Sequence, residues 1–270
     1  PSPCHKPFSK AFCFSGGRKI FLFSALTILL AFFSYASAID GDFVFDDVPL
    51  ISSDYFYHEG ADSTVWDCFA RTYWRAELSQ GLYRPLTVLS YLINAKTAGL
   101  YSPSFRIVNI FLHALVSLLV FFLALKLFKN RFKEAFLCSV IFAIHPLHCE
   151  AVAPASGRAD LLCAFFLLCG IISHAGDWRW RKYAVFAFCL LACLSKENGV
   201  VLLPLCLLYD IFFKRKEFAD ILRNKGGKDM RQSYISCLFA VLSYFLIKIY
   251  FFSAPLPISN KVDLFADNQL

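Results

Sequence analysis

The sequence predicts an all-α, polytopic membrane protein with a long first loop on the non-cytosolic side. Of its 270 residues 58% are hydrophobic and 17% are charged, whereas soluble domains are about half apolar and a quarter charged. Apolar runs close to the length of a membrane span recur along the chain. Basic residues cluster in alternate connecting segments, so the net charge of +7 indicates membrane topology and not a nucleic-acid partner.

The N-terminal region predicts a cytosolic segment followed by a membrane anchor. Residues 1–19 contain four basic residues and no acidic one, and 20–38 form an uncharged apolar run of the length that crosses a bilayer. The run ends in Ala36-Ser37-Ala38, which is also typical of a signal-peptidase site, although it is long for a signal peptide. Both interpretations place the chain beyond residue 40 on the non-cytosolic side.

The next segment, 39–103, is a polar loop with nine acidic and four basic residues. It is rich in Tyr and Trp, so we expect short helices that lie in the membrane interface, including an interrupted one at 86–100. Six further membrane segments are predicted within 104–252. They lie at about 104–127, 134–145, 160–176, 183–195, 199–213 and 233–252. We interpret 253–270 as a truncated non-cytosolic tail.

The distribution of Lys and Arg gives the orientation. With a cytosolic N-terminus and seven spans, the predicted cytosolic segments contain 18 of the 27 basic residues. These segments are 1–19, 126–134, 177–182 and 214–231. Three polar clusters then fall on the opposite face, at Asp46-Asp47, at 145–160 and at 195–199. Ionisable groups at the end of a span are costly and are by default candidates for function, so we predict one site that uses all three.

Asp46 and Asp47 are the first candidate residues. A carboxylate held just above the membrane is suited to act as a general base or as a metal ligand, because apolar neighbours raise its pKa. Two adjacent carboxylates seldom share one role, so we expect one to react and the other to orient it. The alternative is the solvated start of a loop.

His145, His148 and Glu150 form the second candidate group, directly after an apolar run. They could bind a metal, a phosphate or a sugar hydroxyl, but their spacing does not match a standard zinc signature. Pro146 disfavours helical geometry at His145. The alternative is a helix end with incidental polar residues.

Arginine and lysine residues near the remaining apolar runs are candidates for binding a phosphate. These residues are Arg84 before Pro85, Arg158 near Asp160, and Lys196 next to Glu197. Each has an alternative explanation. Arg84 could simply precede a helix that starts at Pro85, and Lys196-Glu197 could be a short solvated loop. Arg158 could pair with Asp160 or Glu150, and Asp160 could be the N-cap of the next helix.

The 11 cysteines lie mostly in apolar runs, where Cys acts as a small hydrophobe. No CxxC pair occurs, so redox and zinc chemistry have little support. A disulfide between Cys68 and Cys149 is an open alternative, because both fall on the predicted non-cytosolic side.

The candidate motifs occur in a characteristic order. They are Phe45-Asp46-Asp47, Tyr83-Arg84-Pro85-Leu86-Thr87, His145-Pro146-Leu147-His148-Cys149-Glu150-Ala151-Val152, Gly157-Arg158-Ala159-Asp160-Leu161-Leu162 and Ser195-Lys196-Glu197-Asn198-Gly199. Together they resemble the transmembrane and tetratricopeptide-repeat-containing (TMTC) family, over about residues 20–255. No 34-residue repeat is found, so the chain resembles only the N-terminal membrane part.

The resemblance implies a GT-C-like glycosyltransferase of the endoplasmic reticulum membrane. It implies transfer of mannose from dolichyl-phosphate mannose to Ser or Thr of secretory-pathway proteins, cadherins among them. Asp46 or Asp47 is then the base in the first lumenal loop. The donor phosphate or sugar is expected to bind Arg84, His145, His148, Glu150, Arg158, Asp160, Lys196 and Glu197. No cofactor, required metal or nucleic acid is expected. A non-catalytic membrane scaffold is the alternative, and a transporter is disfavoured because the charges lie at one face.

Overall fold

A computed structural model describes residues 17–58, 61–74, 81–223 and 227–253 of the chain. This part is mainly α-helical and contains no β-strand. The helices are Gly17–Tyr35 (α1), Val65–Ala70 (α2), Pro85–Ala98 (α3), Ser102–Leu127 (α4), Phe132–Ile144 (α5), Cys149–Val152 (α6), Arg158–Ala175 (α7), Arg181–Ser195 (α8), Leu202–Phe213 (α9), Arg215–Leu222 (α10) and Lys228–Ser253 (α11). The predicted segments 1–19 and 253–270 lie outside the described residues except at 17–19 and 253.

Each predicted membrane segment forms a helix, but the helices differ in length. Among the described residues, four are long and apolar enough to cross a membrane: Gly17–Ala38, Ser102–Leu127, Ala155–Ala175 and Met230–Phe251. Helix α5 and the following Pro146–Val152, bent by 47°, would make a fifth as one broken span. At about 1.5 Å per residue, the 15 residues of α8 and the 12 of α9 are too short for the roughly 30 Å hydrocarbon core. Seven full spans therefore remain a prediction.

The long helices form two groups that meet along α4 and α7. In the first group α1, α4 and α5 pack on one another, and Ala31, Ala114 and Ala143 form a buried cluster at their contact. Such small residues let helices approach closely inside a membrane. In the second group α8 packs on α7 and α11, around a core that includes four buried cysteines, Cys189, Cys193, Cys206 and Cys237.

The first loop is folded into a packed unit of its own. Its buried core consists of Leu50, Ile51, Tyr57, Cys68, Tyr73, Val88, Tyr91, Leu92 and Ala95, with Phe105 of α4 and Ala155 before α7. Helix α3 contributes one face to this core, since its buried residues recur every three or four positions. Helix α3 corresponds to the predicted interfacial helix 86–100. The loop therefore sets a fixed surface above α4 and α7.

A separate polar cluster lies at the other end of α7. Asp210 of α9 bonds through Oδ2 to His174 Nε2 at 2.8 Å and accepts a hydrogen bond from the Tyr234 hydroxyl at 2.5 Å. His174 and Asp210 are fully buried. Nearby, Asp177 pairs with Lys214 at 3.3 Å and with Arg181 at 3.6 Å. These contacts tie α7, α8, α9 and α11 together at the predicted cytosolic end.

Candidate active site

The two adjacent carboxylates in the first loop point in different directions. Asp47 is fully buried, and its two oxygens accept hydrogen bonds from the backbone N–H of Ala155 at 3.0 Å and of Ser156 at 2.8 Å. Asp46 is exposed, and its carboxylate has no hydrogen bond or ion pair to the described part of the chain. Asp47 thus holds the segment before α7, while Asp46 is free to react.

Arg158 does not reach the site surface. It is fully buried, and its guanidinium donates to Asn109 Oδ1, Asn94 Oδ1 and the Phe105 carbonyl at 2.9 Å each, and to the Ser90 carbonyl at 3.1 Å. It also lies 5.1 Å from the centre of the Tyr91 ring. It pairs with neither Asp160 nor Glu150. This placement does not favour the prediction that Arg158 binds a phosphate and instead makes it a support of the loop unit.

Arg106 and Asn109 of α4 complete this support, and neither was a predicted site residue. Arg106 donates to the carbonyls of Ala38, Asp42 and Ala153, and Asn109 donates to the carbonyl of Pro154 at 2.7 Å. Asp47, Arg106 and Asn109 thus all bind residues 153–156, and Arg158 in turn binds Asn109. We call Asp47, Arg106, Asn109 and Arg158 the buried network.

Two ion pairs connect the loop after α8 with the rest of the site. Lys196 Nζ lies 2.5 Å from Asp160 Oδ1, and Arg84 binds the Glu197 carboxylate through Nη2 at 2.8 Å and Nε at 3.1 Å. Burial lowers the pKa of Arg84, but the hydrogen bonds and charge of Glu197, together with Tyr73, outweigh it and raise this pKa above its ordinary value. Arg84 also lies over the Tyr73 ring at 4.6 Å. Asp160 stands in the first turn of α7, which begins at Arg158, so it is not the N-cap.

Two glycines allow the backbone in these motifs to approach closely. A β-carbon at Gly157 would lie 2.3 Å from the Ala151 carbonyl oxygen, and one at Gly199 would lie 2.2 Å from the Cys193 nitrogen. Both distances are far below van der Waals contact. Only glycine therefore fits these positions, which bring the segment before α7 against α6 and the Lys196 loop against α8.

The side chains of the histidine motif, His145, His148 and Glu150, have different surroundings. Glu150 is exposed and has no side-chain partner among the described residues. The His148 ring packs on Phe142 at 4.2 Å and lies 5.4 Å from the ring of buried His113. His145 is exposed, and its Nδ1 accepts the Leu147 N–H, which stabilises the turn. The described residues contain no group of three His, Cys, Asp or Glu side chains that could hold a metal ion.

Polar side chains, some free and some paired, line two adjoining cavities. The larger, of about 800 Å³, has an apolar wall that includes Val44, Phe45, Val116, Phe142, Leu147 and Leu161, and also contains His113 and His148. The smaller, of about 460 Å³, adds Tyr73, Trp74, Leu82 and Arg84. We call them the apolar cavity and the polar cavity. Both are lined by Asp46, Glu150, Ser156, Asp160 and Lys196.

These shared residues bring the three predicted clusters together. Asp46, Glu150, Asp160 and Lys196, which we call the rim, come from the first loop, from α6, from α7 and from the loop after α8. Arg84 and Glu197 pair beside them, whereas His145, Arg158 and Asp47 do not line either cavity. Sequence analysis did not identify Tyr73, Trp74, Ser156 or His113 as site residues. Cys149 is exposed and Cys68 is buried, both as free thiols, so the alternative of a disulfide between them is wrong.

Such a site combines a free carboxylate, paired cations and an apolar wall. A carboxylate can accept the proton of an attacking hydroxyl. Cations are suited to a leaving group that gains negative charge. An apolar wall next to them suits a ligand that is part lipid and part anion.

Comparison with known proteins finds relatives that match most of the chain. The chain is 28% identical over 253 residues, 85% of its length, to human protein O-mannosyl-transferase TMTC3. It is 33% identical over 211 residues, 67% of its length, to human protein O-mannosyl-transferase TMTC4, and 31% identical over 204 residues, 73% of its length, to protein O-mannosyl-transferase F38B6.6 of Caenorhabditis elegans. The chain spans between 27% and 29% of the length of these relatives. No family model and no solved structure matches.

Proposed function

The chain belongs to the TMTC family of protein O-mannosyl-transferases, and from this premise we propose that it transfers mannose to protein hydroxyls. The donor in this proposal is dolichyl-phosphate mannose, and the acceptors are Ser or Thr residues of secretory-pathway proteins, cadherins among them. The relatives are named for O-mannosyl transfer. In this proposal the two adjoining cavities take the two substrates, one lipid-linked and one a protein segment.

The observation that carries this proposal is the free Asp46 carboxylate on the wall that both cavities share. In the proposed step the acceptor hydroxyl attacks the anomeric carbon of mannose. A new C–O bond forms while the bond from that carbon to the phosphate oxygen breaks. Asp46 takes the hydroxyl proton, and dolichyl phosphate leaves. Asp47 keeps the segment 153–156 in place and takes no proton.

Lys196 and Arg84 are the cations proposed to meet the leaving phosphate. Lys196 is paired with Asp160 in this structure, and its side chain is partly exposed. A phosphate next to it would compete with Asp160 for the ammonium group, and the resulting charge-assisted bond strengthens as the phosphate gains charge. Glu150 and His148 line the same cavity and are placed to accept hydrogen bonds from sugar hydroxyls. No metal is needed for these steps.

The proposed orientation puts the rim in the lumen of the endoplasmic reticulum and the N-terminus in the cytosol. The Lys- and Arg-rich connections support it, since they lie in the segments 126–134, 177–182 and 214–231. The ion pairs of Asp177 lie with them, at the end of α7 away from the rim.

The test is transfer from radiolabelled dolichyl-phosphate mannose to a Ser/Thr peptide by the purified full chain. We expect Asp46→Asn to lower the turnover number by about 10²- to 10⁴-fold while the unfolding temperature stays unchanged. A chelator should leave wild-type activity intact. Glu134→Gln is a matched control, since Glu134 lies at the start of α5, away from the rim, and among the described residues its carboxylate pairs with the exposed Arg131 alone.

Full activity of Asp46→Asn would remove Asp46 from the base role. Absence of transfer by the wild type, together with photo-crosslinking to dolichyl phosphate, would indicate the alternative of a non-catalytic membrane binding protein. Loss of activity in the presence of chelator would show that a metal is required.

A further inference from the structure

Phe45 combines a strained backbone with a side chain that is almost fully exposed to solvent. Its φ of 46° lies in the left-handed region, which is unfavourable for a residue with a β-carbon and which Gly or Asn adopts more easily. Its ring is 93% exposed, so packing within the described residues does not offset this cost. Lys129 and Asn130, in the turn after α4, also have positive φ, but strained residues of this kind cluster at functional sites, and of these three only Phe45 lines a cavity described above.

The strained turn determines which side chains of the segment 44–47 line the apolar cavity. The Asp47 N–H donates to the Val44 carbonyl at 3.0 Å, and the Val48 N–H donates to the Phe45 carbonyl at 3.2 Å. The turn leaves Val44, Phe45 and Asp46 on the wall of the apolar cavity, while Asp47 is buried. An aromatic side chain is therefore held next to the proposed base, where a glycine would have made the same turn without strain.

The apolar lining around Phe45 continues from a membrane-type helix. Ile144 at the end of α5 is 49% exposed, and Leu147 in the following turn is 69% exposed and lines the cavity with Phe45. Lys196 lies in the lining of the same cavity. A ligand that fits both features has an anionic head joined directly to an apolar chain, as in a polyprenyl phosphate.

We propose that Phe45 is a specificity-determining residue that contacts the isoprene units next to the donor phosphate. The inference rests on the proposed function, because it takes the donor to be a polyprenyl-phosphate sugar. Contact with the chain would remove the exposed ring from water. It would thereby favour a lipid-linked donor over one with a short chain, and burial of most of a Phe side chain corresponds to about a tenfold change in affinity.

The test compares two donors, dolichyl-phosphate mannose and a synthetic donor with a chain of two isoprene units. We expect Phe45→Ala and Phe45→Gly to raise KM for the dolichyl donor by about tenfold and KM for the short donor by much less. The turnover number should change little. Phe45→Gly should also unfold at a higher temperature than Phe45→Ala, because glycine relieves the turn. The matched control is Phe33→Ala, since Phe33 is 70% exposed on α1 and lines neither cavity.

The two proposals fail in different ways. If the wild type transfers mannose and Phe45→Ala raises KM equally for both donors, or for neither, the inference about Phe45 is overturned. If the wild type transfers nothing, the proposed function fails. Phe45 replaced by photoreactive benzoylphenylalanine then still tests the contact: cross-linking to dolichyl phosphate supports it, and cross-linking only to bulk phospholipid overturns it.

Discussion

The rim and the buried network contain the same kinds of charged side chain, but they differ in burial and in how many of those side chains are paired. In the buried network, Arg158 makes four hydrogen bonds and Asp47 two. At the rim, Asp46 and Glu150 have no side-chain partner among the residues described. A buried charge must be compensated by hydrogen bonds or ion pairs within the protein, whereas an exposed charge is solvated and remains available to bind a ligand. Burial, and not residue type, separates the supporting residues from those proposed to take part in the reaction.

The largest effect that would sharpen this comparison comes from Arg158→Met. The change keeps the length of the side chain but leaves two Asn side-chain oxygens and two backbone carbonyls without their donor. We expect the free energy of unfolding to fall by about 3–5 kcal/mol, measured by denaturant unfolding in detergent. Lys196→Met is the control and should change it by less than about 1 kcal/mol.

Equal stability of Arg158→Met and the wild type would contradict the supporting role. It would return Arg158 to the candidates for binding a phosphate.

The next prediction concerns the rim and uses Lys196→Gln. Loss of a charge-assisted bond to phosphate costs about 1.5–3 kcal/mol, which corresponds to roughly tenfold to hundredfold in catalytic efficiency. We expect kcat/KM for the donor to fall by this factor while the unfolding temperature stays close to that of the wild type. Lys96→Gln is a control, because within the described residues Lys96 Nζ donates to the Ala61 carbonyl of the loop unit and lines neither cavity. An unchanged kcat/KM would remove Lys196 from the donor site.

Helix positions could be predicted from the sequence, because hydrophobic runs and flanking charges are local features. Helix α4 was predicted at 104–127 and lies at Ser102–Leu127, and α7 was predicted at 160–176 and lies at Arg158–Ala175. The convergence of Asp46, Glu150 and Lys196 followed from topology alone. The α8 and α9 helices, by contrast, do not show from length that they span the membrane.

The roles of individual charges could not be predicted, because they depend on distant partners. Arg158 is buried by contacts with Asn109 and Asn94, which are 49 and 64 residues away. One signal was nevertheless present in the sequence. Arg106, Asn109 and His113 recur every three or four positions in the mainly apolar α4 and are all buried. A polar stripe of this kind within a membrane helix indicates a buried network.

The reactivity of two cysteine thiols tests the same difference between buried and exposed residues. Burial raises the pKa of the Cys68 thiol from 9.0 to about 11, and Cys149 is exposed beside the rim. The neutral thiol is therefore favoured in the folded state, and the stability that this preference contributes is present below pH 9 and is lost as the pH rises towards 11. At pH 8 we expect maleimide to label Cys149 within minutes and Cys68 only after unfolding, measured by mass spectrometry of the peptides.

The same reagent tests the side of the membrane on which the rim lies. In sealed microsomes a membrane-impermeant maleimide should label Cys149 only after the vesicles are opened. Labelling of Cys149 in sealed vesicles would place the rim on the cytosolic face and would break the comparison, because a lumenal acceptor could not then reach Asp46.

The smallest effect is expected at the cap of α2, which is exposed and therefore unlike the buried network. Thr64 accepts the Asp67 N–H through its hydroxyl, and the Asp67 carboxylate accepts the Thr64 N–H at 2.7 Å, so the two form a capping box. We expect Thr64→Ala to cost about 1 kcal/mol and to speed hydrogen exchange in Val65–Ala70 without changing donor KM. Thr97→Ala, at an exposed hydroxyl near the end of α3, should leave exchange in α2 unchanged. If Thr64→Ala lowered the free energy of unfolding as much as Arg158→Met, the loop unit would depend on local caps more than on its buried core. Exposed polar contacts would then stabilise the fold as strongly as buried ones.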